Sequence, residues 1–382
     1  MNCSGRNLSG EPTLVEFSNG LISNVDPLLD HSQAGDVTIA PGFVDLQVNG
    51  FAGVDYNEPS SSHEEIARSL RVMFSTGVTR VFPTVITGDP ERMVGALRNL
   101  AAARESLEDG GAMEAFHVEG PHISPEDGPR GAHQQRWVRP PDVNEFLRWQ
   151  EAAQGNVRLV TLSPEWPGAP LYIEALASEG VATSIGHTRA TREQIQDAVS
   201  AGATLSTHIG NGAHGVLQRH PNYIWEQLAE DRLAASFIVD GIHLGEAFLR
   251  VALRAKGIER SVLVTDAVMP ALCAPGVYKL GEIEVELKDD QRVVLRGGTR
   301  LAGSSLRMDR AIDNVMRIAR VSLTEAVTMA TINPARVGRI ANRQRGLRPG
   351  ERADLVRFRM VDGQMEVIET YLSGRKVFSA PN

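Results

Sequence analysis

From about residue 41 onward, short apolar, β-branched runs alternate with helix-like stretches. The runs lie near 43–48, 78–82, 114–118, 157–162, 181–185, 204–207, 234–239 and 261–265. Between them sit helix-like segments at 63–76, 90–107, 142–153, 170–179, 191–201 and 244–256. Thr191-Arg192-Glu193-Gln194 places an N-cap ahead of one of these helices. Strands alternating with helices imply βαβ units and a parallel sheet. Eight such runs favour a closed (β/α)8 TIM barrel over an open doubly wound sheet. No Gly-rich phosphate fingerprint follows the first run, which weighs against a dinucleotide-binding fold.

After the eighth run the period changes. Residues 276–301 alternate like a hairpin, Gly281–Leu287 followed by Val293–Leu295, with Asp289-Asp290 where the turn belongs. Helical stretches return at 308–320 and 323–331. The two chain ends, 13–40 and 347–379, read as short strands split by turns such as Asn19-Gly20 and Asp362-Gly363. Neither end buries a core alone. The expected organisation is therefore a barrel over 41–342 and a small β-sandwich built from 1–40 and 343–382.

Charge and composition remove several classes. The formal net charge is −8 and is spread along the chain, with no basic stripe for nucleic acid. Cys3 and Cys273 make no disulfide framework, so a reducing compartment is expected. The first residues lack an apolar signal core, and no apolar run is long enough to span a membrane. The reading is a cytoplasmic protein acting on a small molecule, with no nucleic-acid or membrane partner.

Four residues at run ends carry the chemistry: Glu119, His187, His208 and Asp266. In a barrel, the carboxyl ends of the strands converge on one face. One carboxylate and two imidazoles form a tridentate set that suits zinc and leaves a position for water. A further carboxylate at another strand end can take a proton from that water. The arrangement looks like that of a hydrolase.

The ordered motifs Pro41-Gly42-Phe43-Val44-Asp45, His117-Val118-Glu119-Gly120-Pro121, Gly131-Ala132-His133, Gly186-His187-Thr188, Thr207-His208, Asp240-Gly241-Ile242-His243, Val264-Thr265-Asp266-Ala267, Ala302-Gly303-Ser304-Ser305, Asn333-Pro334-Ala335 and Pro349-Gly350-Glu351-Arg352-Ala353-Asp354-Leu355-Val356 run through the chain. On these motifs it resembles the amidohydrolase superfamily, in its N-acetylglucosamine-6-phosphate deacetylase branch, over nearly its whole length. The resemblance implies one divalent metal per subunit, zinc, held by Glu119, His187 and His208, with Asp266 as general base and acid. It implies that His133 polarises the amide carbonyl. Substrate contacts are implied for Gln47, Ala132, His133, Asn211, Gly212, His243, Ala302 and Gly303. Arg219 matches an arginine that reaches the phosphate from a neighbouring subunit, which implies a homodimer.

Two absences favour a mononuclear site. Where many amidohydrolases carry His-x-His at the end of strand one, this chain reads Gln47-Val48-Asn49, poor ligands for a transition metal. The first of its four lysines is Lys256, so no bridging carbamylated lysine on strand four is available. The loop after the second histidine departs from the family: Asn211-Gly212-Ala213-His214 stands for the usual Asn-Ala-Met, and Arg219-His220-Pro221-Asn222 for Arg-Glu-Pro-Gly. The departure bears on the sugar and phosphate pocket. It keeps open an alternative substrate, another N-acyl amino sugar or small amide. His31, His63, His117, His122, His214 and His220 read mostly as structural or solvated, His117 as barrel filling and His122 as a candidate support for the metal ligands.

Overall fold

In the computed structural model, residues 1–28 and 34–381 are described; His31 lies outside them. The chain opens with strands β1 (Asn2–Arg6), β2 (Pro12–Ser18), β3 (Leu21–Pro27) and β4 (Thr38–Pro41). Next come β5 (Phe43–Val48), the short pair β6 (Gly50–Phe51) and β7 (Val54–Asp55), then β8 (Val78–Ile86), β9 (Phe116–Glu119) and β10 (Val157–Leu162). They are followed by β11 (Ala182–Ile185), β12 (Ala203–Ser206), β13 (Ala234–Ile238) and β14 (Ser261–Val264). The helices of this part are α1 (His63–Phe74), α2 (Pro90–Ser106), α3 (Val143–Ala152), α4 (Ala169–Ser178), α5 (Arg192–Ala201), α6 (Tyr223–Ala229) and α7 (Glu246–Lys256).

Strands β5 and β8 to β14 pair in sequence order into one eight-stranded parallel sheet. Its first and last strands meet at their carboxyl ends, where Asp266 N donates to Gln47 O at 3.0 Å. Asp45 fastens the same seam: its carboxylate accepts from Thr265 N at 3.2 Å and Thr265 Oγ1 at 2.6 Å. The sheet is thus a (β/α)8 barrel, and all eight strands fall on the apolar runs. Helix starts follow their caps, with reciprocal capping boxes at Ser62/Glu65 and Thr191/Gln194. Helix α6 was not legible beforehand. It has seven residues, too few for a period to declare itself, and only its Asn222 cap announces it.

Beyond the barrel, the 276–301 segment forms not one hairpin but a three-stranded meander, β15 (Gly276–Leu280), β16 (Ile283–Leu287) and β17 (Val293–Leu295). The Asp289-Asp290 turn joins its last two strands. Its inner side carries a separate apolar cluster of Leu280, Val285, Leu287 and Val293 with Val268 and Ala302. Helices α8 (Met308–Ala319), α9 (Leu323–Ala330) and α10 (Ile332–Val337) complete the barrel's outer layer.

The chain closes with β18 (Leu355–Val361), β19 (Gln364–Leu372) and β20 (Arg375–Ser379). Both chain ends join one seven-stranded sheet in the order β20-β19-β18-β4-β1-β2-β3. Val356, Phe358, Met365 and Val367 of this sheet belong to the main core, whereas Val15, Phe17, Ile22, Ile39 and Leu355 build a small core of their own. A buried charge cluster ties this sheet to the base of the barrel. Arg80 grips Asp354 with two parallel bonds, Nε to Oδ2 at 2.8 Å and Nη2 to Oδ1 at 2.9 Å. Arg343 Nε lies 3.3 Å from the same carboxylate, and Ser373 N donates to it at 2.8 Å.

Candidate active site

The barrel's carboxyl-end face carries a cavity of about 120 Å³. Glu119 is the last residue of β9, and His187, His208 and Asp266 each follow their strand by two residues. The latter three sit at positive φ, 49°, 28° and 50°. Non-glycine residues rarely adopt that backbone region, and it recurs where a site over-determines the chain. All four line the cavity together with His133.

Three ligand atoms meet at one point. Glu119 Oε1 lies 2.9 Å from His208 Nε2 and 3.2 Å from His187 Nε2, and the two Nε2 atoms are 3.2 Å apart. His187 Nδ1 lies 2.8 Å from the carbonyl oxygen of Pro129, so that nitrogen must donate. A neutral His187 then carries a lone pair on Nε2, aimed at a carboxylate oxygen and at a second imidazole nitrogen. Acceptors converging in this way need a positive partner among them, either the proton that His208 Nε2 can donate to Glu119 or a bound cation. Ligands about 2.1 Å from a tetrahedral metal stand roughly 3.4 Å apart, close to the spacings here. The residues therefore fit a divalent metal. Sequence alone did not foresee the second contact to His187: the Cβ a side chain would add at Gly212 (φ +56°) falls 2.5 Å from His187 Nδ1. Only glycine allows the loop to press on that ring.

The charges are consistent with the same grouping. Burial alone pushes Glu119 up, but hydrogen bonds and charge from His187 and His208 hold it well below the usual carboxylate range. For His208, burial pulls the ring down and Glu119 more than restores it, so the net direction is up. His133 is pushed down to about 3, first by burial and then by His187, so it is a neutral imidazole. Its ring stands edge-on to His187, with centroids 4.5 Å apart. A ring nitrogen of His133 lies within 4.8 Å of the ligand atoms of Glu119 and His187, outside the tighter triad formed with His208.

Gln47 and Asn49, poor metal ligands, are hydrogen-bond donors to the two carboxylates. Gln47 Nε2 donates to Glu119 Oε1 at 2.9 Å and to Asp266 Oδ1 at 3.1 Å. Asn49 Nδ2 donates to the same Asp266 oxygen at 2.7 Å. Asn49 lines the cavity, whereas Gln47, equally buried, does not. Sequence analysis missed Asn49 as a site residue. Its strand parity with Asp45 and Gln47, all odd positions running off β5, was the available signal.

Asp266 is pushed up to about 6, chiefly by burial and then by the Glu119 charge. A protonated Asp266 accepts no proton. Activity is therefore expected to fall about tenfold per pH unit on an acid limb at or below pH 6, since a bound dication lowers this value further. An acid limb that stays unchanged in Asp266→Asn would remove Asp266 from the proton path.

Of the remaining expected residues, Ala132, Asn211, Gly212, His243, Ala302 and Gly303 line the cavity. His243 is oriented by Asp240, whose Oδ2 lies 2.6 Å from its Nδ1. Arg219 is exposed on the loop before α6 and is not among the cavity-lining residues of its own chain. His117 fills the barrel interior, its Nε2 2.8 Å from Thr161 Oγ1. His122 packs between the Trp149 and Tyr172 rings and hydrogen-bonds Arg139 O through Nδ1 at 3.2 Å, rather than supporting a candidate ligand.

Residues 38–377 match the Amidohydrolase family. The chain belongs to that family. Among its curated relatives, N-acetylglucosamine-6-phosphate deacetylase of Bacillus subtilis (strain 168) is 32 % identical over 374 residues, covering 95 % of this chain and 92 % of the relative. The Homo sapiens protein of the same name is 32 % identical and covers 92 % of this chain and 86 % of its own length. Among solved structures, this amidohydrolase is similar to a mutant N-acetyl-D-glucosamine-6-phosphate deacetylase from Mycobacterium smegmatis in complex with N-acetyl-D-glucosamine-6-phosphate. That likeness has a TM-score of 0.87 and 30 % identity, and covers 96 % of this chain and 95 % of the other. The Thermotoga maritima N-acetylglucosamine-6-phosphate deacetylase superposes with a TM-score of 0.87 at 27 % identity, over the full length of both chains. No helix among the described residues is long and apolar enough to cross a membrane.

Proposed function

We propose that this amidohydrolase cleaves the N-acetyl group of N-acetylglucosamine 6-phosphate, giving glucosamine 6-phosphate and acetate. One observation carries the reading. A lone-pair donor set and a buried carboxylate whose Oδ1 is already occupied face one cavity, in a chain whose relatives bear that name. Glu119, His187 and His208 would hold a single divalent metal, with zinc favoured by the imidazole and carboxylate donors. When bound, such an ion lowers the pKa of a water from about 16 toward 7 and polarises a carbonyl.

This chain's own residues do the rest. Both amide donors reach Asp266 at Oδ1, which leaves Oδ2 to take the proton of the attacking water. Asp266 then delivers that proton to the amine nitrogen as the C–N bond breaks. Neutral His133 donates to the carbonyl oxygen as charge develops there, a contribution on the order of 3 kcal/mol for such a donor. Asn211, Gly212, His243, Ala302, Gly303 and Ala132 surround the sugar, and Gln47 steadies both carboxylates. Arg219 of a second subunit would bind the phosphate, making the active form a homodimer. A guanidinium suits bidentate phosphate recognition. With few cysteines and no membrane helix among the described residues, the proposed location is the cytoplasm.

A second reading keeps this chemistry and changes the substrate to another N-acyl amino sugar or small amide. The departure at Gly212–His214 and His220–Asn222 favours it. Acetate release by the zinc-loaded protein from N-acetylglucosamine 6-phosphate, beside its unphosphorylated form, separates the two. A charged hydrogen bond to phosphate supports about a 10- to 100-fold preference in kcat/KM, and Arg219→Ala should erase most of it. Turnover of neither sugar by a zinc-bound protein would sink the first reading and leave the second.

A further inference from the structure

The two walls of the cavity differ in chemistry. Asn211 and Gly212 after β12, and His243 after β13, bring polar groups to one side. Strand β8 stands four places from β12 in the eight-stranded order, on the opposite wall. There Ile86 ends β8 in register with Glu119, and Leu280 and Ile283 of the meander close over it.

Behind this apolar wall a side cavity of about 30 Å³ continues outward, sharing Ile86, Ala132, His133, Leu280 and Ile283 with the main one and ending on Val85 and Met93. Three of its polar neighbours are engaged elsewhere, while His133 and Gln134 stand at its mouth. Asn57 donates to Asn49 O and Thr84 O and accepts from Ile86 N. Arg92 pairs with Glu58, and Glu282 accepts from Trp137 Nε1. Its hydrocarbon wall is made by Val85, Ile86, Met93, Leu280 and Ile283, and Ile86, Ala132 and Ile283 pack on the cluster of Leu280, Val268 and Ala302.

A trans amide sends its two substituents in opposite directions. With the carbonyl at His133 and the sugar toward Asn211 and His243, the acyl carbon chain runs toward Ile86. We propose that the side cavity is an acyl subsite, and that the enzyme hydrolyses N-propionyl and N-butyryl amino-sugar phosphates as well as the N-acetyl compound. The inference rests on the amide-hydrolase reading above and extends its substrate class. A volume of 30 Å³ admits about two water-sized groups at roughly 10–15 Å³ each, hence one or two methylenes beyond acetyl and not a six-carbon chain. The reaction is otherwise the same. Water adds across the amide, the C–N bond breaks, the alkanoate leaves and the amine takes the proton. Each methylene buried there favours binding about fourfold, which offsets part of the cost of ordering the longer chain.

The test is a kcat/KM series on the zinc-loaded enzyme with N-acetyl, N-propionyl, N-butyryl and N-hexanoyl glucosamine 6-phosphate, following the freed amine. Propionyl and butyryl should fall within about tenfold of acetyl, and hexanoyl at least about 100-fold below it. Ile283→Phe should lower the butyryl-to-acetyl ratio by about tenfold, and Met93→Ala should raise the hexanoyl-to-acetyl ratio. A 100-fold loss already at propionyl, or unchanged ratios in both folded variants, overturns the subsite. If a variant does not fold, the wild-type series decides alone. Failure of the acetyl substrate itself would instead overturn the functional reading on which the subsite rests.

Discussion

Asp266→Asn is expected to lower kcat by about 10²- to 10⁴-fold while metal content and thermal midpoint stay near wild type. The substitution is nearly isosteric, and its side-chain oxygen can still accept the hydrogen bonds that Asn49 and Gln47 give to Oδ1. What it removes is the acceptor on the other side of the carboxylate, which takes the proton and returns it to the leaving amine. The prediction is checked by steady-state turnover beside metal analysis of the same preparation. Retained turnover with bound metal would remove Asp266 as the base. Lost turnover with lost metal would instead make it a support of the ligand set, a different role that the same two measurements distinguish.

The largest stability effect should come from the opposite end of the barrel. Asp354 is fully buried between Arg80 and Arg343 and also accepts from Ser373 N. Burial alone would raise its carboxyl pKa, but the two guanidiniums bring it below its ordinary value. Asp354→Ala takes the paired carboxylate from buried Arg343 and leaves Arg80 with Glu114 alone, and is expected to cost about 3–5 kcal/mol. An unfolding free energy from denaturant melts within about 1 kcal/mol of wild type would count against the clamp. The sign with pH follows from the lowered pKa: the contribution is full above the unfolded value of about 3.9 and is lost as pH falls toward the folded value. The alanine variant should therefore lose less stability between pH 6 and 3 than wild type does.

The eight barrel strands and their helices were legible because each buries an apolar face with a period set by its own backbone. The candidate metal ligands were legible for a related reason. Strand ends in such a barrel converge, so Glu119, His187, His208 and Asp266 can be gathered from four separate local readings. The seven-residue α6 and the meander at 276–301 were harder. The first is too short to show a period, and the second alternates like a plain hairpin because the docking of its inner side on the barrel mouth leaves no trace in its own pattern. Arg219 stays a motif match, since it is exposed and its proposed target belongs to another copy of the chain.

Sequence by itself placed the eight strands and the residues at their carboxyl ends, because local periodicity marks both, and their number and alternation with helices pointed to the barrel. Tertiary structure alone decided what those residues do to one another. Asn49 and Asp266 are 217 residues apart and Gln47 and Asp266 are 219 apart, yet their hydrogen bonds select which carboxylate oxygen remains free. The Pro129 carbonyl fixes the His187 tautomer, and Ile86, Met93 and Ile283 meet in one side cavity only after the meander has folded over β8. Closing the barrel makes these contacts. They join segments too distant in the chain for any repeat or spacing to record them.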